Sequence, residues 1–213
     1  MKRIIFILII ISIIFYFQYE SINKINNSYE ILQYENPKKN IFENMLQDKL
    51  VSVFTNIKFD NWNISINQYN TQKDLIDTKI IDNLYYYNIP LTIENNHQIL
   101  FESKNKPPLI QKQDKYRRLF YIYSGTKRFF IFNTEQEKYL YLNNNNISPI
   151  NIWNQDLEKY PLIEKAKYIE IICRENTMLY IPCNFYYTSI CDEDTISIDV
   201  SSESIFSKYF LKK

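Results

Sequence analysis

A chain of 213 residues with a single glycine has almost no position where the backbone can take positive φ without steric cost. That glycine, Gly125, sits in LFYIYSGTKRFFIF, between the runs Leu119–Tyr123 and Lys127–Phe132. Both runs read as strands. Ser124-Gly125 reads as a two-residue hairpin turn, since the primed turns require positive φ. Apolar or aromatic residues occupy both faces of each run, which places the pair inside a two-sheet body. One glycine also rules out a P-loop or a dinucleotide-binding fingerprint, and there is no GxSxG nucleophile turn.

The remaining pattern is one of short strands with few helices. NIFENMLQDKL has helical spacing through Ile41, Met45 and Leu46, and LVSVFTNI follows as a strand. KDLIDTKIIDNLYYY reads as a helix through Leu75, Ile76, Ile80 and Leu84. YYYNIPLTI and HQILFES read as extended, and Pro107-Pro108 marks a loop. A capped helical turn is expected from Asn133 or Thr134, with further helical turns around Pro161. Strands are expected at Tyr168–Cys173, Thr177–Ile181 and Phe185–Cys191. After the DED turn, Thr195–Ser201 alternates through Ile196, Ile198 and Val200. This order argues for a β-sandwich or barrel.

Net charge is +1, from 25 basic and 24 acidic residues, so nothing electrostatic points to nucleic acid. Nineteen tyrosines and abundant Asn, Ile and Lys match an AT-rich coding sequence. The N-terminus, MKRIIFILIIISIIFYFQYE, has Lys2 and Arg3 ahead of an apolar run from Ile4 to Phe17. As a helix that run reaches about 21 Å against a hydrocarbon core of about 30 Å, with Tyr19 and the basic pair able to extend it. The small residues of a cleavage site are missing, which favours an uncleaved signal-anchor over residues 1–19. Lys2 and Arg3 then put the N-terminus in the cytoplasm and the domain on the lumenal or exterior side. A cleaved signal and a secreted domain form the alternative. Residues 20–39 read as a polar linker, and residues 40–213 as the folded domain. Cys173, Cys183 and Cys191 read as buried thiols, with a Cys183–Cys191 disulfide as the alternative. Asn26-Asn27-Ser28 and Asn63-Ile64-Ser65 fit the glycosylation pattern, which an Asn-rich chain produces by accident.

From Gln111 to Phe210 the order SGTKRFFIFNTEQEKYLYL, SPI, then QDLEKYPLIEKAKYIEIICRENTMLYIPCNFYYTSICDEDTISIDV resembles the cupin-like, JmjC-related family. The resemblance implies a mainly-β double-stranded β-helix, a cupin or jelly-roll barrel with a few short flanking helices. Active members are Fe(II)- and 2-oxoglutarate-dependent oxygenases that hold iron with two histidines and a carboxylate. Counted back from Gly125, the first ligand positions fall on Lys112 and Asp114. The second histidine falls on Tyr187, after the Tyr180-Ile181-Pro182 run. An asparagine position near the cosubstrate falls on Arg118. The lysine that commonly meets the cosubstrate's distal carboxylate is kept as Lys127.

The chain has one histidine, His97, and such a site needs two. Lys112 is a cation that repels a metal, and Lys112 or Arg118 is expected to pair with Asp114 in its place. These residues lead to a membrane-anchored binding module without an iron site, for a protein, glycan or small anionic ligand, with Lys127 as the candidate contact. A divergent oxygenase with a non-standard site from Asp114, His97 and a cysteine is the enzymatic alternative, and an assembly surface in a membrane or envelope particle is a third.

Overall fold

Faces alternate along each strand, and that alternation sorts the side chains of this chain into layers. The computed structural model describes residues 2–57, 92–104, 109–204 and 207. Its strands are β1 (Ile31–Glu35), β2 (Val51–Thr55), β3 (Thr92–Glu102), β4 (Gln111–Lys112), β5 (Arg117–Ser124), β6 (Lys127–Phe132), β7 (Ile169–Cys173), β8 (Thr177–Pro182), β9 (Tyr186–Cys191) and β10 (Thr195–Ser204). Among the described residues they form one sheet in the order β1-β2-β8-β5-β10-β3 and another in the order β4-β9-β6-β7. The mainly-β expectation holds, and the two sheets suit a cupin or jelly-roll architecture.

Three apolar clusters follow from strand parity. Phe120 and Ile122 of β5, Phe129 and Ile131 of β6, and Tyr187 of β9 meet between the sheets. Leu119 and Tyr121 face the other way, toward helix α2 (Lys39–Gln47). The α2 stripe of Phe42, Met45 and Leu46 is fully covered there, each side chain contributing about 2 kcal/mol by burial. The Phe42 and Phe54 rings lie 4.6 Å apart. On the far side of the smaller sheet, Phe130, Phe132 and Tyr186 pack with Leu140, Ile150 and Ile163. Leu140 caps the 3-10 helix Thr134–Tyr139, Ile163 lies within the 3-10 helix Pro161–Lys165, and Ile150 lies in the connection between them. Proline opens the second of these, where its missing N–H costs nothing.

The hairpin expected at Gly125 is corrected. β5 and β6 follow each other in sequence but lie in different sheets, β5 between β10 and β8 and β6 between β7 and β9. Gly125 turns a corner between sheets. It has φ +89, and a Cβ there would lie 2.7 Å from both the Asp194 carbonyl oxygen and Thr195 Oγ1. Asparagine supplies positive φ elsewhere, at Asn36, Asn56, Asn146, Asn176 and Asn184. Only the corner against β10 also demands the absence of a side chain.

The linker expected over 20–39 is corrected at β1, which pairs in parallel with β2 from Ile31↔Val51 to Glu35↔Thr55. As an exposed edge strand it carries polar residues that hide it from a pattern reading. The cap expected at Asn133 differs in its bonds. Its carbonyl accepts from Gln136 N at 3.1 Å, while its side chain donates to the Asn27 carbonyl at 2.7 Å. The helix read over KDLIDTKIIDNLYYY, the Asn63 glycosylation pattern and the Pro107-Pro108 loop lie outside the described residues. At the N-terminus, helix α1 (Lys2–Asn23) presents exposed apolar side chains from Ile5 to Phe17. Among the described residues no helix is long and apolar enough to cross a membrane.

Candidate functional site in the barrel interior

The space between the sheets is apolar at one end and ionic at the other. The ionic part comes from strand phase. On β5, Arg118 shares its face with Phe120, and on β6, Lys127 shares its face with Phe129. Opposite Phe120 in the β10 register is Asp199, and Ser197 lies two residues away on the same face. Glu102 ends β3 on that face too, since Leu100 pairs with Ser197 and Glu102 with Thr195.

Lys127 is 2 % exposed, and its ammonium donates to the Glu102 carboxylate. Glu102 also accepts from Ser197 Oγ at 3.0 Å. The Lys127 Nζ sits 5.7 Å from the Phe120 ring centre and 5.5 Å from that of Phe129, within cation–π range of both. Arg118 forms a second pair. Its Nε donates to Asp199 Oδ1 and Oδ2 at 2.9 and 3.1 Å, and its Nη2 donates to Oδ2 at 2.5 Å. The same guanidinium stacks 5.1 Å from the centre of Phe120 and 5.3 Å from that of Tyr187. Burial, the largest influence, works to lower the Arg118 pKa, but the hydrogen bonds to Asp199 and the charges of Tyr187, Asp199 and Asp114 together outweigh it, so the net shift is upward.

Tyr187 is 2 % exposed, and its hydroxyl accepts a hydrogen bond from Gln111 Nε2 at 2.6 Å. Burial pushes the phenol well above its usual range, with Asp199 and Asp114 adding to the rise and Arg118 opposing it. It is a neutral hydroxyl at any physiological pH.

Lys112 does not share the interior with Tyr187. In the β4–β9 register Lys112 stands opposite Tyr186, which packs on the outer face of the smaller sheet, whereas Gln111 stands opposite Tyr187. The strand phase thus brings Gln111 inward where the count from Gly125 points to Lys112. Asp114 is exposed. It still acts through space on Arg118, Tyr187 and Cys183. The ion pair expected at Asp114 is corrected: Arg118 takes Asp199, and no ion pair joins Lys112 to Asp114 among the described residues. His97 pairs in register with Val200 and shares the face of Ile99, so it belongs to the outer layer beside α2. The non-standard set of Asp114, His97 and a cysteine is not assembled. No group of three His, Cys, Asp or Glu side chains converges on a metal position among the described residues.

The three cysteines are free and buried, not disulfide-bonded. Cys173 and Cys191 stand opposite Lys127 on its two neighbouring strands. Burial pushes the Cys173 thiol up to about 12 and that of Cys183 up to about 11.

The donor set does not fit ferrous iron and 2-oxoglutarate. Among the described residues the inward donors are a neutral phenol, an amide, thiols that burial keeps protonated, and carboxylates already engaged by Arg118 and Lys127, and the sole imidazole lies on the other face of the sheet. The lysine that would meet a dicarboxylate already holds a carboxylate, that of Glu102 on β3. Glu102, Asp199, Ser197 and Gln111 were not predictable as site residues by matching motifs. Their only trace in the sequence is a carboxylate inside SISIDV, a strand that turns out to be covered on both faces.

A family model described as a cupin-like domain matches residues 30–200. Over 77 residues the chain is 31% identical to the tRNA wybutosine-synthesizing protein 5 of Mus musculus and 32% identical to that of Homo sapiens. Each match covers 36% of this chain and 24% of the relative, so the chain spans about a quarter of the length of these curated relatives.

Proposed function

The chain belongs to the cupin-like domain family, and we propose that it is a member without an iron site, acting as a binding or structural module. One observation carries this reading: the two cations that the described residues place in the barrel interior are neutralised by carboxylates of the same barrel, Lys127 by Glu102 and Arg118 by Asp199. A dicarboxylate entering there would have to displace Glu102 from a buried ammonium, and a metal would have to take Asp199 from a guanidinium. Binding of a protein, glycan or anionic ligand therefore falls to the outer surface. The exposed apolar side chains of α1 support a further part of the proposal, that this helix seats in a membrane; Lys2 and Arg3 ahead of it support placing the domain on the non-cytoplasmic side.

Titration of the full chain in detergent with Fe(II), with and without 2-oxoglutarate, tests the reading. The expected result is no stoichiometric iron and no cosubstrate-dependent oxygen consumption. Stoichiometric iron with turnover would overturn it and establish the divergent oxygenase. For the helix, the chain is expected to stay with membranes through alkaline carbonate washing, and release into the wash would refute the membrane seat.

A further inference from the structure

A second cluster of cations lies outside the barrel, on the outer face of the larger sheet. Arg117 begins β5 in phase with Leu119 and Tyr121, which pack toward α2. Lys49 lies in the connection from α2 to β2, Lys24 follows α1, and Cys183 follows β8. The Arg117 guanidinium stacks 5.2 Å from the centre of the Tyr116 ring, and the Lys49 ammonium lies 5.9 Å from the same centre. One aromatic ring thus holds two cations together, against their mutual repulsion.

Arg117 is 7 % exposed, and its Nη1 is buried without a hydrogen-bond partner. Arg117 makes no ion pair among the described residues. The nearest carboxylates in sequence, Asp48 and Asp114, are both exposed. A guanidinium nitrogen withdrawn from water is costly to leave without an acceptor, and native structures rarely leave one so. The neighbourhood adds positive charge instead. Burial pulls the Lys49 ammonium down to about 8, Cys183 opposes that fall, and Arg117 and Lys24 deepen it. The contrast between Arg117 and the interior is direct, because there Lys127 and Arg118 each hold a carboxylate.

We propose that Arg117 and Lys49, both against the Tyr116 ring, together with Lys24, whose charge acts on Lys49, form a binding site for a phosphate group. A planar guanidinium takes two oxygens of a tetrahedral oxyanion, while the ammonium groups act as point charges on the remaining oxygens. The site is independent of the barrel interior and of whether iron binds there. Because Lys24 directly follows the apolar helix, the phosphate can belong to a soluble phosphate ester or to a lipid headgroup.

The test titrates the full chain in detergent with inorganic phosphate at pH 7, with chloride at matched ionic strength as the control. Saturable 1:1 binding is expected, weakened about tenfold in Arg117→Met, the loss of one charge-assisted pair. In the unmodified chain, phosphate is expected to slow acetylation of Lys49 about fivefold, read by mass spectrometry, with exposed Lys138 as the internal reference; this magnitude assumes a ligand that occludes the amine. That measurement stands even if the variant fails to fold. Glycerol phosphate and phosphatidic acid in mixed micelles then distinguish the sources: equal affinity assigns a soluble ester, and preference for the micelle assigns the headgroup. Absence of saturable binding, unprotected Lys49, or a folded Arg117→Met that binds like the parent would overturn the proposal.

Discussion

Glu102→Gln tests the reading of the interior most directly, because it removes one charge from a pair whose other member cannot reach water. Lys127 is 2 % exposed, and the Glu102 side chain is 29 % exposed. Breaking a fully buried pair from one side costs about 3–5 kcal/mol, since the remaining charge is left uncompensated. The partial exposure of Glu102 screens its share, and the two aromatic faces retain some hold on the ammonium, so about 2–3 kcal/mol is expected. For a domain of this size that is a fall of about 5–10 °C in Tm. Glutamine keeps an acceptor for Ser197 Oγ, so the change isolates the charge. The double variant Glu102→Gln with Lys127→Met removes both charges and is expected to recover to within about 1 kcal/mol of the parent. Unfolding followed by near-ultraviolet circular dichroism on the full chain in detergent gives both numbers. A single variant that melts with the parent, or a double variant whose loss equals the sum of the two singles, would refute the picture of a buried compensated pair.

Two further outcomes follow from particular residues. Gly125→Ala is expected to cost about 3 kcal/mol, from positive φ and from the contacts its Cβ would make with Asp194 and Thr195, lowering Tm by about 6–12 °C. Gly125→Asn is expected to lose as much, because its Cβ meets the same atoms, and a thermal melt that shows rescue by asparagine would refute the close-approach account. Cys173, raised to about 12 from 9.0, is neutral below that value when folded, so iodoacetamide at pH 8 is expected to spare it in the native chain and label it in the unfolded one. A folded pKa raised above the unfolded one means that stability is fully present below pH 9 and falls as pH rises toward 12. Unchanged unfolding midpoints between pH 9 and 11 would contradict that burial.

Strands were legible wherever apolar residues recur at the period of a pleated sheet, as from Leu119 to Phe132 and from Thr177 to Cys191. β1 was not, since ILQYE is a short edge strand, largely exposed and set in a polar stretch. The positive φ at Gly125 could be read locally, but its strand pairing could not. A hairpin and a corner between sheets ask the same of one residue and differ only in contacts made far along the chain. β10 misleads in a related way. Its alternation marks one apolar face correctly, yet the polar face that should meet water lines the barrel, with Ser197 fully buried and Asp199 nearly so. The ion pairs were hidden for the same reason, as Lys127 and Glu102 are separated by 25 positions and Arg118 and Asp199 by 81. What could be read was a deficit, one imidazole where two are needed, because counting requires no geometry.

The position of Arg118 has a consequence for any attempt to re-engineer catalysis. Its guanidinium is wedged between the rings of Phe120 and Tyr187 while gripping Asp199. Installing an imidazole at 187 alone would set a new ligand beside a permanent positive charge, with the Asp199 carboxylate already claimed. A replacement at 187 by itself therefore does not assemble a metal site. Arg118 and Tyr187 would have to be replaced together to free Asp199 as a ligand, and Lys127 released from Glu102 to meet a dicarboxylate.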